Sequence, residues 1–264
     1  MFNQILQKIK ANKKYKTIAD SVVKKEIKIY LKSNPNATTD KQTIKEIRAK
    51  LHRKYSSFQT RKKNKTDKYL EELKQDPTNQ ETTNKLLSIT VSTKERINDY
   101  KTIYKKIFKL TNKPKIIIDL GCGLNPFSFP TMNLTNLNYY AYDIDEKDIK
   151  YLNKYFKIIK PRGLKGKAKI LDATNINKIK KLPKSDIIFM FKLLDLFDNK
   201  TSEELITQSI KETNYIVASF PTKTITRKQM NFPKRKGFEL MLSRLDLKFK
   251  TFETDNEIFY IISK

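Results

Sequence analysis

Residues 116–130, Ile-Ile-Ile-Asp-Leu-Gly-Cys-Gly-Leu-Asn-Pro-Phe-Ser-Phe-Pro, hold the residue types best placed to do chemistry in this chain. An apolar run ends in Asp119, Gly121-Cys122-Gly123 follows, and prolines punctuate what comes next. The pattern predicts a buried parallel strand running into a glycine loop and then a helix. Gly121 and Gly123 lack a Cβ, so a ligand can approach the backbone closely and positive φ carries little penalty. Asp143 closes the next strand-like run, Tyr139-Tyr140-Ala141-Tyr142. A glycine turn with a carboxylate about 20 residues on suits a nucleoside, the carboxylate accepting from ribose hydroxyls. Pro126 stands where a dinucleotide loop needs its third glycine, and proline has no N–H for a phosphate. No Gly-Lys-Ser/Thr follows, which excludes a P-loop. Asp119 adds a carboxylate that suits a cationic ligand better than a polyphosphate.

The elements that must position these residues alternate along the chain. Strands are predicted at 115–120, 138–143, 167–171, 185–191 and 214–219, with helices near 125–132, 146–158 and 201–213. Two further strand-like runs, Leu247 to Phe252 and Glu257 to Ile262, are close enough to pair antiparallel. Such alternation gives a parallel sheet wound on both sides. Residues 1 to about 75 are predicted helical. Ile18, Val22, Val23 and Ile27 recur at helical spacing, as do Ile44, Ile47, Leu51, Tyr55 and Phe58. Thr39 or Asp40 would cap the second of these helices. Asp76-Pro77-Thr78-Asn79 reads as a turn and hinge. Helices from Gln80 to Leu87 and from Glu95 to Phe108 lead into the first strand. The expected division is a helical, basic domain over 1–87 and an α/β domain over 88–264.

At 264 residues the chain suits one full α/β domain and a smaller one. One cysteine and one histidine exclude a disulfide framework and a Cys/His zinc site within one chain, so no metal is expected. Sparse cysteine points to a reducing, cytoplasmic setting. No apolar stretch approaches about 20 residues, and the N-terminus does not resemble a signal peptide, so no membrane partner is expected. Net charge is +28. Residues 1–68 hold 20 Lys and Arg against 5 Asp and Glu, a density that marks a polyanion partner, most often nucleic acid.

Asp119-Leu120-Gly121-Cys122-Gly123 resembles motif I of the S-adenosylmethionine (SAM)-dependent methyltransferases. SAM carries a sulfonium and an ammonium group and no phosphate. Absences narrow the acceptor. Cys122, the lone cysteine, sits in the cofactor loop, which argues against cytosine-C5 chemistry. Met190-Phe191-Lys192-Leu193-Leu194-Asp195 offers no Asn/Asp-Pro-Pro-Tyr/Phe of the kind used on adenine amino groups. The α/β half has no histidine to act as a base. An acceptor that needs no deprotonation, such as a purine N7, is favoured.

Several segments together resemble one family, the 16S rRNA (guanine-N7)-methyltransferases of aminoglycoside resistance. They are Val91-Ser92-Thr93-Lys94-Glu95-Arg96, the loop from Asp119 to Pro126, Phe191-Lys192-Leu193-Leu194 and Ser219-Phe220-Pro221-Thr222. Asn12-Lys13-Lys14-Tyr15 and Leu51-His52 also fall where that family has similar residues. The chain departs from the pattern at Asp195, where the family has Pro, and at Lys223, where it has Arg. Arg and Lys are not equivalent at a bidentate site.

The resemblance implies a Rossmann-like class I SAM-methyltransferase sheet with an N-terminal all-helical domain that docks on rRNA. It implies the assembled small ribosomal subunit as partner, a decoding-site (A-site) guanosine of 16S rRNA as target, and a monomer. Arg96 would grip the SAM carboxylate, although by spacing alone it reads as a surface helix residue. Asp119, Gly121 and Gly123 would surround the methionine part, and Asp143 the ribose. Asp172, with Ala173 beside it, would meet the adenine amino group or serve as a helix cap. Phe191, Lys192 and Leu193 would sit at the carboxyl end of strand four, where ligands bind in open α/β sheets. Lys192 suits a phosphate, carboxylate or carbonyl contact. No residue is cast as a catalyst, because alignment and exclusion of water are enough for direct transfer to N7.

RNA contacts are expected from Lys13, Lys14, Arg48, Arg53 and Lys54, and from Lys223, Arg227, Lys234 and Arg235 in the loop after strand five, with Phe232 placed to stack. The A-form major groove that displays N7 is deep and narrow, so the helix must be distorted or the guanosine flipped out. Two other classes stay open at this point: a methyltransferase for another RNA, a protein or a small molecule, and a non-catalytic ribosome-binding protein with this fold.

Overall fold

The fold is organised by one sheet whose central strands have no polar face. The computed structural model describes residues 1–53, 61–223, 230 and 234–264. Among them seven strands pair: β1 Ile116–Leu120, β2 Leu137–Asp143, β3 Leu164–Ile170, β4 Ser185–Phe191, β5 Thr213–Pro221, β6 Lys248–Glu253 and β7 Glu257–Ser263. Their order is β3-β2-β1-β4-β5-β7-β6. All pairs are parallel except those of β7, which runs antiparallel to β5 and β6. Ile117, Ile118 and Leu120 of β1 and Ile187, Ile188, Phe189 and Met190 of β4 are fully buried. Unbroken apolar runs are what parallel strands need when helices cover both faces. The edge strands differ: Lys165, Lys167 and Lys169 on β3 and Lys248 and Lys250 on β6 are exposed. Charges there oppose pairing with another sheet edge. Chain order reverses between β1 and β4, which opens a crevice beyond their carboxyl ends.

Three N-terminal helices, α1 Phe2–Lys10, α2 Asp20–Ser33 and α3 Lys41–Leu51, close on their own core of Ile5, Ile9, Val23, Ile27, Ile47 and Leu51. Asp40, not Thr39, caps α3, accepting from the Thr43 N–H at 2.6 Å. Helices α4 Thr66–Gln75 and α5 Gln80–Leu87 pack elsewhere. Their Leu70, Leu73, Leu86 and Leu87 join the core beneath the sheet, with Tyr139 and Tyr155. The packing boundary therefore falls before α4, and a division at residue 87 cuts through a continuous core. The Asp76–Asn79 segment looks like a hinge in composition. It is a capped turn, in which Asp76 accepts from the Thr78 N–H and Asn79 from the Thr82 N–H.

The helix expected from Glu95 to Phe108 is two helices, α6 Val91–Glu95 and α7 Tyr100–Thr111, with Arg96 at the break. The buried partner of Arg96, described below, holds the chain at that corner. The expected helix at 125–132 is a 3-10 turn over Asn125–Met132, tightened by Pro126 and Pro130. Helix α8 Glu146–Ile159 is capped by Asp145, whose Oδ1 accepts from the N–H groups of Lys147 and Asp148. A short α9 spans Ile176–Ile179. Helix α10 Asn199–Ser209 starts earlier than expected, because Asp198 caps it through the Thr201 N–H. Helix α11 Lys236–Arg244 was not expected, since Gly237 in its first turn reads as loop. Strand β3 begins three residues early because Lys and Gly at an edge hide its apolar alternation. Lys54, Tyr55, Phe58, Arg227 and Phe232 lie outside the described residues. Among those described, no helix is long and apolar enough to cross a membrane.

Candidate active site

A cavity lies at the point where strand order reverses, lined by the ends of β1, β2 and β4, the segment after β3, and α6. Gly121 (φ +63°) and Gly123 (φ +48°) turn the chain beneath it in the left-handed region. A Cβ on Gly121 would meet Leu193 Cδ1 at 2.6 Å, whereas one on Gly123 would point into open space. Gly121→Ala is therefore expected to destabilise the fold by about 1–3 kcal/mol through overpacking and backbone strain. A Leu193→Ala partner should recover the packing share alone, as read from urea denaturation.

Asp143 accepts at both oxygens. Its Oδ2 takes the Gly123 N–H at 2.8 Å, and its Oδ1 takes those of Ile144 and Asp145 at 2.7 and 3.0 Å. Burial pushes its pKa above the usual carboxylate range, and the backbone donors pull it down. Asp119 is deeper, 1% exposed. Its Oδ2 accepts from Tyr139 Oη at 2.7 Å and Asn125 Nδ2 at 2.9 Å, while Tyr100 Oη donates to Asn125 Oδ1 at 3.0 Å. The asparagine of Leu-Asn-Pro thus fixes the carboxylate that ends β1. Burial raises the Asp119 pKa to about 7. Burial also raises the Cys122 thiol, so it stays protonated and packs as a small apolar group.

Asp172 and Ala173 line the far wall. Asp172 Oδ1 accepts from the Thr174 N–H and hydroxyl, and Lys25 Nζ reaches Oδ2 at 3.2 Å. It does not cap α9, because Asn175 does. Phe191 stacks on Phe189 and lies 5.0 Å beneath the Arg96 guanidinium.

The residues expected on the helix surface and at the end of β4 converge on a carboxylate from the far end of the chain. Arg96 is 2% exposed, and its Nε and Nη2 both bond Glu257, each at 2.8 Å. The two-bond grip expected for a cofactor carboxylate is thus already used internally on Glu257, and Tyr100 also faces the guanidinium. Lys192 holds a left-handed backbone (φ +52°) that turns its side chain back to Glu95 at 2.7 Å and Glu257 at 3.6 Å. Ser219 Oγ donates to Glu257 and accepts from the Lys192 N–H. Burial alone would raise Glu257, but Arg96 and Lys192 outweigh it and hold the carboxylate below its usual range.

The family described as ribosomal RNA methyltransferase (FmrO) matches residues 11–261. This chain belongs to that family. A 16S rRNA (guanine(1405)-N(7))-methyltransferase of Proteus mirabilis is 30% identical to it, over 99% of this chain and 96% of that protein. A protein of the same name from Micromonospora rosea is 23% identical over 99% and 96%. The crystal structure of the 16S rRNA methyltransferase RmtF in complex with S-adenosyl-L-homocysteine superposes with TM-score 0.81 at 20% identity, over 100% of this chain and 98% of that one. The 16S rRNA methylase ArmA gives TM-score 0.56 at 28% identity, over 75% and 97%. The fold of this methyltransferase is accordingly class I.

Sequence reasoning missed Glu257. It lies after Asp255-Asn256 with no distinguishing signal, and only the antiparallel return of β7 beside β5 brings it to the site. Ile18 and Asp145 on the cavity wall were also missed, since the contact joins the helical part to α8. Of the expected RNA contacts, Lys13, Lys14, Arg53 and Lys234 are exposed. Arg48 donates to the Lys8 carbonyl, and together with Lys14 and His52 it lines a groove between α1 and α3. Lys223 is paired with exposed Asp255 at 2.7 Å. Arg235 is not a free cation. It bonds Asp195 at 3.1 Å and the Pro221 carbonyl at 3.2 Å, and stacks on Phe220 at 5.3 Å. Asp195, the departure from the family pattern, supplies that tie.

Proposed function

We propose that this chain is a SAM-dependent methyltransferase that modifies N7 of an A-site guanosine in 16S rRNA of the small ribosomal subunit, acting as a monomer. The observation that carries the reading is the family match over nearly the whole chain, joined to a cavity that suits the cofactor. Five carboxylates, Asp119, Asp143, Asp145, Asp148 and Asp172, border it, while Arg96 and Lys192 line its α6 side. That distribution fits a ligand with a cationic centre, a carboxylate and a nucleoside, and opposes a polyphosphate. We assign Asp143 to the ribose hydroxyls, Asp172 and Ala173 to the adenine, Gly121 and Gly123 to the methionine backbone, and Arg96 with Lys192 to its carboxylate. Phe191 and Leu193 exclude water from the wall.

SAM, when bound, would supply an activated methyl group, whose carbon–sulfur bond breaks as a purine N7 lone pair displaces the neutral thioether without prior deprotonation. The chain's own residues align and desolvate, and no proton has to move through them. Cys122, buried and protonated, offers no nucleophile. Helices α1–α3 form the basic docking part, through Lys13, Lys14, Arg48 and Arg53, with Lys223 and Lys234 contacting RNA nearer the target. Arg235 is assigned instead to fixing the base of the β5–α11 connection.

The test is reaction of purified protein with SAM and intact small subunits, followed by borohydride–aniline cleavage mapping of the rRNA. A new strand break at one decoding-site guanosine is expected. No methyl transfer to subunits or to free 16S rRNA overturns the assignment. Charge reversal of Lys13, Lys14, Arg48 and Arg53 together should weaken subunit binding and lower the salt slope by roughly 0.7–0.9 per lost phosphate contact. Calorimetric SAM affinity should stay unchanged.

The Asp119 carboxyl yields a pH prediction with a definite sign. Its folded pKa, about 7, lies above the ordinary aspartate value of 3.8, so folding favours the protonated form. Its contribution to stability is fully present at low pH and is lost as pH rises from about 4 through 7. A cationic ligand favours the ionised form instead. SAM affinity should thus rise with pH through 6–7, by at most about tenfold per unit, and level off above. Asp119→Asn should flatten that rise and remove the proton released on binding, measured by calorimetry in buffers of different ionisation enthalpy.

A further inference from the structure

The β2–α8 turn, which carries the ribose acceptor, is held from outside the methyltransferase sheet. Thr17 Oγ1 donates to Asp145 Oδ2 at 2.7 Å, and Lys63 Nζ reaches the same oxygen at 2.8 Å. Lys63 Nζ also lies 2.8 Å from Asp148 Oδ1. The Lys63 side chain is 14% exposed and that of Asp148 only 2%. Backbone bonds close the same turn: the Ala19 N–H donates to the Ile144 carbonyl and the Glu146 N–H to the Thr17 carbonyl. Asp145 in turn caps α8 with Oδ1 and gives its own N–H to Asp143 Oδ1. A chain of contacts therefore runs from the Lys63 ammonium through Asp145 to Asp143.

We propose that Lys63 is a positioning residue for cofactor binding, its ammonium neutralising Asp145 and Asp148 so that the turn keeps its shape and Asp143 stays ionised toward the ribose. The proposal rests on the reading of Asp143 as the ribose acceptor. Asp143, Asp145 and Asp148 fall within six residues, and Asp119 faces them from β1. Cys122 lies beside them protonated, and the Tyr151 hydroxyl donates to the Lys63 carbonyl and to Asp67, away from the ammonium. Carboxylates this close cannot all ionise in a buried site without a cation. Burial pushes the Asp148 carboxyl up to about 7 even against the opposing pull of Lys63. Burial would lower Lys63, but Asp148 and Asp145 outweigh it and raise it. Loss of a purely structural anchor would weaken binding alike at every pH, whereas loss of charge compensation weakens it most where the carboxyls take up protons.

Calorimetric titration of the full chain with SAM between pH 6.5 and 9 separates the two. Lys63→Met is expected to weaken binding about tenfold at pH 6.5 and less than about threefold at pH 9, as the uncompensated carboxyls ionise. Asp119 titrates in both proteins, so its contribution cancels in their ratio. Lys63→Arg should stay within about threefold of wild type throughout. The double variant Lys63→Met/Asp148→Asn, which removes one charge of each sign, should recover most of the loss. A ratio that does not change with pH, or a double variant no better than Lys63→Met, overturns the proposal. If Lys63→Met does not fold, the double variant decides alone. A wild-type protein that binds no SAM at any pH overturns instead the cofactor reading beneath it.

Discussion

Asp143→Ala is expected to raise the dissociation constant for SAM more than a hundredfold while leaving affinity for the small ribosomal subunit within about threefold. A carboxylate accepting from two ribose hydroxyls contributes about 1.5–3 kcal/mol per charge-assisted bond, and about 1.4 kcal/mol is a factor of ten. The side chain also organises the site before any ligand arrives. Removing it leaves the N–H groups of Gly123, Ile144 and Asp145 without the acceptor they now share. The glycine loop and the β2–α8 turn lose their common tie. Asp143→Asn keeps one oxygen, which can serve the Ile144 and Asp145 donors or the Gly123 donor but not all three, and should fall between the alanine variant and wild type. Calorimetry gives the first affinity and filter binding the second. A dissociation constant within threefold of wild type in the alanine variant would remove Asp143 from the site.

Glu257→Ala should destabilise the fold by about 3–5 kcal/mol, the penalty for leaving a buried partner charge uncompensated. Arg96, 2% exposed, would lose the carboxylate that bonds its Nε and Nη2, and Lys192 would keep only Glu95. Arg96→Met/Glu257→Leu removes both charges and should be far less destabilised, because apolar side chains of similar volume tolerate that setting. The double variant should nevertheless bind SAM poorly, having lost the cation that we assign to the cofactor carboxylate. Urea denaturation of the single and double variants, with calorimetry on the folded ones, checks both statements. A Glu257→Ala protein as stable as wild type would show that the ion pair contributes nothing to the fold.

The two cases explain why segments scattered along the chain share a purpose. Glu95 and Arg96 come from the Ser-Thr-Lys-Glu-Arg segment, Lys192 from Phe-Lys-Leu-Leu, and Ser219 from Ser-Phe-Pro-Thr. Arg96, Lys192 and Ser219 meet at the buried Glu257 carboxylate, and Glu95 joins them through Lys192. Each segment was legible as a pattern, yet Glu257, the group that joins them, was not. Its neighbours Asp255 and Asn256 read as a solvated turn, and a lone acidic residue at a strand start has no periodicity to betray it. The Asn125 side chain is similar: the sequence reads as a turn residue before proline, whereas the fold makes it a donor to Asp119.

What the residues alone determined is the part governed by local chemistry and period. Unbroken apolar runs marked β1 and β4, Gly121 and Gly123 marked the loop, and Asp143 marked the end of β2 beside it. The excess of Lys and Arg over Asp and Glu in the first quarter gave the expectation of a polyanion surface. Tertiary structure alone decided which charges are free. Arg235 proved tied to Asp195, Arg96 to Glu257, and Lys63 to Asp145 and Asp148. Ion pairs join residues up to 161 positions apart, and their energy depends on distance and burial. Neither quantity is written in sequence spacing, because both arise only when the sheet brings its strand ends together.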